Sequence, residues 1–143
     1  MKERYDWGLS NFIEEARTLG QFKHPNIVRV RSVFEANNTA YMVMDYELGE
    51  TLQEILTRRK ILDEADVKTV IYPIIDGMKL IHAHGFIHRD IKPANLFIRV
   101  DGEPVLLDFG SARQSIAETR DQSITSIFSK GYAPIEQYNT LDE

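Results

Sequence analysis

A chain of 143 residues, 43% of them apolar, is long enough for one domain with a core and too short for two full ones. Lys and Arg number 17 against 22 Asp and Glu, and the net charge of −5 argues against broad nucleic-acid binding in favour of proteins or small molecules as partners. The absence of cysteine excludes disulfides and thiolate metal sites, and no stretch has the apolar run of a signal peptide or a bilayer span.

In chain order, Leu9, Phe12, Ile13, Ala16, Leu19 and Phe22 recur at helical spacing, with Ser10 as N-cap and His24-Pro25 as the stop. Ile27 to Phe34 and Thr39 to Asp45 then read as two strands of a hairpin turning at Asn37-Asn38, a residue type that tolerates left-handed backbone. After Gly49 the segment Leu52 to Leu56 reads as a short helix. A longer helix follows the cap Asp63, carrying Val67, Val70, Ile71, Ile74, Ile75, Met78 and Ile81, with a kink at Pro73 and an end at Gly85. The segment from Ser111 to Lys130, rich in Ser, Thr and charge, reads as a long loop.

Two apolar runs, Leu96 to Val100 and Pro104 to Leu107, flank Asp101-Gly102, a favoured two-residue hairpin turn. A two-residue loop would pair Ile98 with Val105, Phe97 with Leu106 and Asn95 with Asp108. One face would then be chemical, with Asn95, Asp108 and Phe97, and the other apolar and core-facing, with Leu96, Ile98, Val105 and Leu107. An amide and a carboxylate side by side suit a hard cation such as Mg²⁺, and equally suit a hydrogen-bonded closure of a hairpin.

The flanking residues decide between these readings. HRDIKPAN, from His88 to Asn95, lies just upstream and DFG, from Asp108 to Gly110, just downstream; together they resemble the signature set of protein kinases. The resemblance implies that Asp90 accepts the proton of a substrate hydroxyl, that Asn95 and Asp108 hold the metal ions bridging the nucleotide phosphates, and that Lys92 adds positive charge near the transferred group. A Lys at this position is similar to serine/threonine rather than tyrosine kinases. His88 resembles a packing element, and Arg89 the arginine that pairs with a phosphorylated residue of the activation segment.

The resemblance extends in both directions. FIEEARTLGQFKHPNIV is similar to helix C and its connection into strand 4, which puts Glu15 where the family keeps the glutamate that pairs with the strand 3 lysine. TAYMVMDYELGETL resembles strand 5 and the hinge. It implies that Met44 is the gatekeeper, that the backbone of Asp45, Tyr46 and Glu47 meets adenine, and that Phe97 is the floor of the pocket. Leu19, Val30, His88 and Phe109 fall at positions that resemble the spine joining two lobes. SKGYAPIEQY resembles the end of the activation segment, with Ser129 at the position usually held by Thr and Glu136 at the glutamate of the APE motif. Pro134 and Ile135 depart from that motif in a way associated with bacterial members.

The expected fold is thus α+β, a partial two-lobed kinase of helix C, strands 4 and 5, hinge, helices D and E, catalytic loop, strand 7–8 hairpin and activation segment. Residues 1–44 would form part of the N-lobe, 45–48 the hinge and 49–143 part of the C-lobe. The implied activity is transfer of the ATP γ-phosphate to Ser or Thr of protein substrates, with Mg²⁺ or Mn²⁺ as the ion. Neither nucleic acid nor membrane is expected to touch this segment. The expected location is the cytoplasm, including the case of a membrane-anchored longer protein.

No glycine-rich loop precedes helix C, and Lys2 has no strand-like neighbours, so little or no phosphotransfer is expected from this chain by itself. The competing readings are a non-catalytic, kinase-derived binding module and a small-molecule phosphotransferase. Intact Asp90, Asn95 and Asp108 speak against the first for the parent domain, while the missing strand 3 lysine speaks for it in this chain by itself; Lys92 and the long segment from Asp108 to Glu136 speak against the second.

Overall fold

The computed structural model describes residues 2–107, 113–114 and 131–135. Its first element is helix α1, Lys2–Leu19. Ser10 therefore lies inside the helix and is not its N-cap. The residues before it, Lys, Glu, Arg, Tyr and Trp among them, include no proline to stop the helix extending toward the N-terminus. The helix ends at Gly20, before His24-Pro25, where the Gly20 N–H donates to Ala16 O at 3.0 Å. Ile13, Ala16 and Leu19 carry its buried stripe, and Phe22 just beyond is also buried.

Strands β1, Val30–Ala36, and β2, Thr39–Met44, form the expected hairpin. Asn37 and Asn38 both have positive φ, 52° and 57°, the geometry of a type I′ turn whose twist matches that of the strands. Register breaks between Val30 and Ser32, leaving Arg31 as the extra residue of a bulge. The strand begins at Val30 and not at Ile27, because residues 26–28 pair elsewhere: Val28 N–H donates to Leu106 O and Leu106 N–H to Asn26 O, each at 2.9 Å. A non-local partner captures those backbone groups before the hairpin can.

Strand β3, Gly49–Thr51, leads into helix α2, Leu52–Arg59. Thr51 and Glu54 close a reciprocal capping box, which satisfies two of the orphan N–H groups at the helix start. Gly49 lies against strand β5, Leu96–Arg99, and a Cβ there would sit 2.0 Å from the Ile98 carbonyl oxygen. Gly49→Ala is expected to cost about 3 kcal/mol or more, read as a lower denaturation midpoint of the full-length protein.

Helix α3, Glu64–Ala83, starts at Asp63, whose carboxylate accepts from Asp66 N–H at 2.8 Å. It runs as one helix through Pro73. Val70, Ile74, Gly77 and Ile81 face the core at helical spacing. Gly77 is where the 24–27 segment lies on the helix, since a Cβ there would come within 3.1 Å of Ile27 and 3.3 Å of His24. Gly85, at φ 77°, ends the element. Strand β4, Phe86–Ile87, follows and pairs with β7, Arg113–Gln114.

Strand β5 pairs with β6, Pro104–Leu106, in a register one residue removed from the expected one. Leu96 faces Leu106, Phe97 faces Val105 and Ile98 faces Pro104. Arg99 N–H donates to Glu103 O and Gly102 N–H to Arg99 O, so the loop has three residues, Val100 to Gly102. Gly102, at φ 89°, takes the left-handed place that ends such a loop, which defeats the two-residue reading of Asp101-Gly102. The expectation of one chemical and one apolar face fails too, because Pro104, Val105 and Leu106 are all buried. The order in this sheet is β3-β5-β6, and its residues Leu96, Val105 and Leu106 share a core with Leu19, Phe22, Ile27, Ile74 and Ile81.

Candidate active site

Between β4 and β5 the chain turns sharply around a buried histidine. His88 is fully buried, and its Nδ1 accepts from the Asp90 N–H at 3.3 Å. His24 does the same for Asn26 N–H at 3.1 Å, so one device, a ring nitrogen capping the amide two residues on, shapes both the 24–26 and the 88–90 turns. Arg89 between them takes φ 68°, a left-handed conformation that costs a non-glycine residue energy and turns the next residue inward.

Asp90, Lys92 and Asn95 meet at one carboxylate oxygen. Lys92 Nζ lies 2.7 Å from Asp90 Oδ2. Asn95 Nδ2 donates to the same Oδ2 at 3.0 Å and to Asp90 O at 2.8 Å. The Asp90 side chain is 11% exposed and that of Lys92 25%, so this is a partly desolvated cluster in which charge-assisted bonds count for more than at the surface. A turn of 3₁₀-helix, 93–95, seeded by Pro93 at its first position, delivers Asn95 to it.

The hairpin correction changes the metal half of the expectation. Leu107 N–H donates to Asn95 O at 3.0 Å, so Leu107 stands opposite Asn95 and Asp108 is one residue further on. The argument that hairpin register sets Asp108 opposite Asn95 does not hold. Asp108, Phe109, Ser129 and Glu136 lie outside the described residues, as does the side chain of Glu15 within α1. Asn95 still fits a cation: both of its hydrogen bonds to Asp90 use Nδ2, which turns Oδ1, the atom able to ligate a metal, away from Asp90. Among the described residues no group of three acidic or histidine side chains makes a metal site.

Residues 45–48 join β2 to β3 without regular structure. Asp45 N–H donates to Arg29 O and Leu48 O accepts from Val100 N–H, each at 2.9 Å. Between these anchors, Tyr46 and Glu47 make no backbone–backbone hydrogen bond among the described residues. Arg31, the bulged residue, forks onto the Asp45 carboxylate, which it holds below the usual carboxylate range while its own guanidinium is pushed up. Glu47 is gripped by Arg99 through two bonds. Tyr46 projects into solvent at 87% exposure, Met44 is also exposed, and Phe97 is half-buried against the core. Leu19 and Val30 are buried, like His88.

Sequence reasoning missed Arg31 and Arg99. Their signal is faint: each is a charged residue inside a strand-like run, Arg31 in Ile27 to Phe34 and Arg99 in Leu96 to Val100.

The model of the protein kinase domain matches residues 1–137. The chain belongs to the protein kinase family. Among curated relatives, the kinase chain is 34% identical over 110 residues to serine/threonine-protein kinase ICK of Rattus norvegicus, covering 77% of this chain and 18% of that protein. It is 34% identical over 105 residues to serine/threonine-protein kinase TAO3 of Xenopus laevis, covering 73% and 12%. It is 32% identical over 135 residues to the probable serine/threonine-protein kinase PknB of Lactococcus lactis, covering 94% and 22%. Vertebrate and bacterial relatives match at similar identity, so identity does not assign the kinase chain to the bacterial members. The chain spans about a fifth or less of the length of these relatives. Its helices and antiparallel sheets agree with the expected partial α+β kinase fold. ATP and a divalent metal are what this family uses in general.

Proposed function

We propose that the protein carrying this chain transfers the γ-phosphoryl group of ATP to serine or threonine hydroxyls of protein substrates, working in the cytoplasm, where ATP is supplied. The observation that carries this reading is the convergence of Lys92 Nζ and Asn95 Nδ2 on one oxygen of Asp90. Phosphoryl transfer asks little covalent chemistry of a protein and much positioning. The acceptor oxygen bonds to the γ-phosphorus as the bond from that phosphorus to the β-bridging oxygen breaks. The hydroxyl proton passes to Asp90, held in orientation by Asn95. Lys92 sets positive charge beside the transferred group.

Asn95 through Oδ1, with Asp108, would hold the ion, Mg²⁺ or Mn²⁺, which when bound neutralises charge on the nucleotide phosphates. The uncommitted backbone at Tyr46 and Glu47 suits the edge of adenine, with Asp45 opening the segment, Phe97 beneath the base and Met44 beside it. Glu15 would pair with a phosphate-binding lysine. Arg89, Ser129 and Glu136 are assigned to regulation of the activation segment.

The test is incubation of the full-length protein with ATP, Mg²⁺ and a protein acceptor. Phosphoserine or phosphothreonine is expected, and a chelator should abolish it. Tight ATP binding without transfer would overturn the enzymatic reading in favour of a binding module, and transfer to a small-molecule hydroxyl would favour the other alternative.

A further inference from the structure

We infer that Arg99 is a positioning residue for nucleotide, latching the 45–48 segment in the shape that receives the base; the inference rests on the nucleotide site proposed above. Arg99 Nε donates to Glu47 Oε2 at 2.6 Å and an Nη to Oε1 at 2.8 Å, while the other Nη donates to Pro25 O at 2.8 Å. One guanidinium thus ties three parts of the chain together: β5, the 45–48 segment and the 24–26 turn that lies on α3. The fork is planar and uses both carboxylate oxygens, which fixes the Glu47 side chain in angle as well as distance.

Two observations single this out among the side-chain contacts of the segment. First, a cavity of about 310 Å³ borders it, lined by Pro25, Ile27, Arg29, Asp45, Glu47 and Arg99 among others. The segment is therefore held on that side by polar contacts in place of packed apolar side chains. Second, the polar contacts are unequal. The Arg31–Asp45 pair is 53% and 34% exposed, a setting in which ion pairs contribute little, whereas Arg99 and Glu47 are 23% and 14% exposed. Arg99 also follows Phe97 by two residues on β5, and strand alternation puts both on one face. The strand face that offers the pocket floor also carries the latch for the pocket wall. Removing the latch frees Glu47 and the backbone on either side of it, and a site that must be ordered before binding loses affinity.

The test uses the full-length protein and reads the ATP dissociation constant, together with kcat and KM for ATP. Arg99→Met is expected to raise both the dissociation constant and KM about tenfold and to leave kcat within about twofold, since the interaction lost supports binding equally before and during reaction. Glu47→Gln is expected to act in the same direction, and the double variant to be no worse than Arg99→Met, because the two remove one interaction. Arg99→Lys, which keeps charge without the fork, is expected to recover part of the loss. An unchanged dissociation constant in a folded Arg99→Met protein would overturn the inference. So would a fall in kcat with unchanged KM, or additive losses in the double variant. A wild-type protein that binds ATP but transfers no phosphate would remove the kinase activity and leave the latch to be judged on the dissociation constants. One that binds no nucleotide would remove both.

Discussion

Asp90→Asn in the full-length protein is expected to lower kcat by about 10²- to 10⁴-fold, the range over which a positioned general base contributes. The substitution keeps the size of the side chain and the backbone that shapes the loop. Asn95 Nδ2 can still reach the Asp90 carbonyl, now 2.8 Å away, and the amide two residues after His88 is unaltered. What goes is the carboxylate that anchors Lys92 Nζ and is proposed to accept the hydroxyl proton. The ATP dissociation constant is expected to stay within about twofold, because the contacts that hold the 45–48 segment do not involve Asp90. Rate and affinity therefore separate in the opposite sense to Arg99→Met. A kcat within about threefold of wild type would remove Asp90 from the chemistry.

Leu106→Ala is expected to cost about 2–5 kcal/mol of folding stability, the range for truncating a fully buried leucine. Leu106 is 1% exposed, and its backbone accepts from Val28 and donates to Asn26. Its side chain lies in the core shared by α1, α3 and the β5–β6 hairpin, where the surroundings are held by three elements and cannot easily collapse into the space. Val100→Ala, on a side chain 81% exposed at the hairpin loop, serves as the comparison and is expected to stay within about 0.5 kcal/mol of wild type. Denaturant unfolding of the full-length protein reads both, and near-equal losses would contradict the placement of the core at β6.

Where residues close in sequence decide the outcome, sequence reasoning reached the structure. Asn37-Asn38 tolerates left-handed backbone, Asp63 is a good helix cap, and Asp90 to Asn95 spans six residues whose turns are shaped by His88 and Pro93. Asp90, Lys92 and Asn95 were singled out through the resemblance of HRDIKPAN to the kinase signature, and their meeting at one carboxylate oxygen is what the structure adds. Failures occur where two local solutions are close in energy or the partner is remote. Asp101-Gly102 serves a two-residue loop or the end of a three-residue one, and that single choice moves Asn95 from opposite Asp108 to opposite Leu107. Ser10 is a good cap, yet the residues before it continue the helix. Ile27 and Val28 read as the start of β1, but the backbone of residues 26–28 is claimed by Leu106 of β6, about 80 residues later. Glu47 and Arg99 lie 52 residues apart, and neither type announces the other.

A crystal structure of the full-length protein with a non-hydrolysable ATP analogue, Mg²⁺ and a serine-containing peptide tests the central claim most directly. The expected result is a Mg²⁺ ion on Asn95 Oδ1 and the serine hydroxyl within about 3 Å of the Asp90 carboxylate, on the line of attack at the γ-phosphorus. A metal bound away from Asn95, or an acceptor hydroxyl seated out of reach of Asp90, would contradict it.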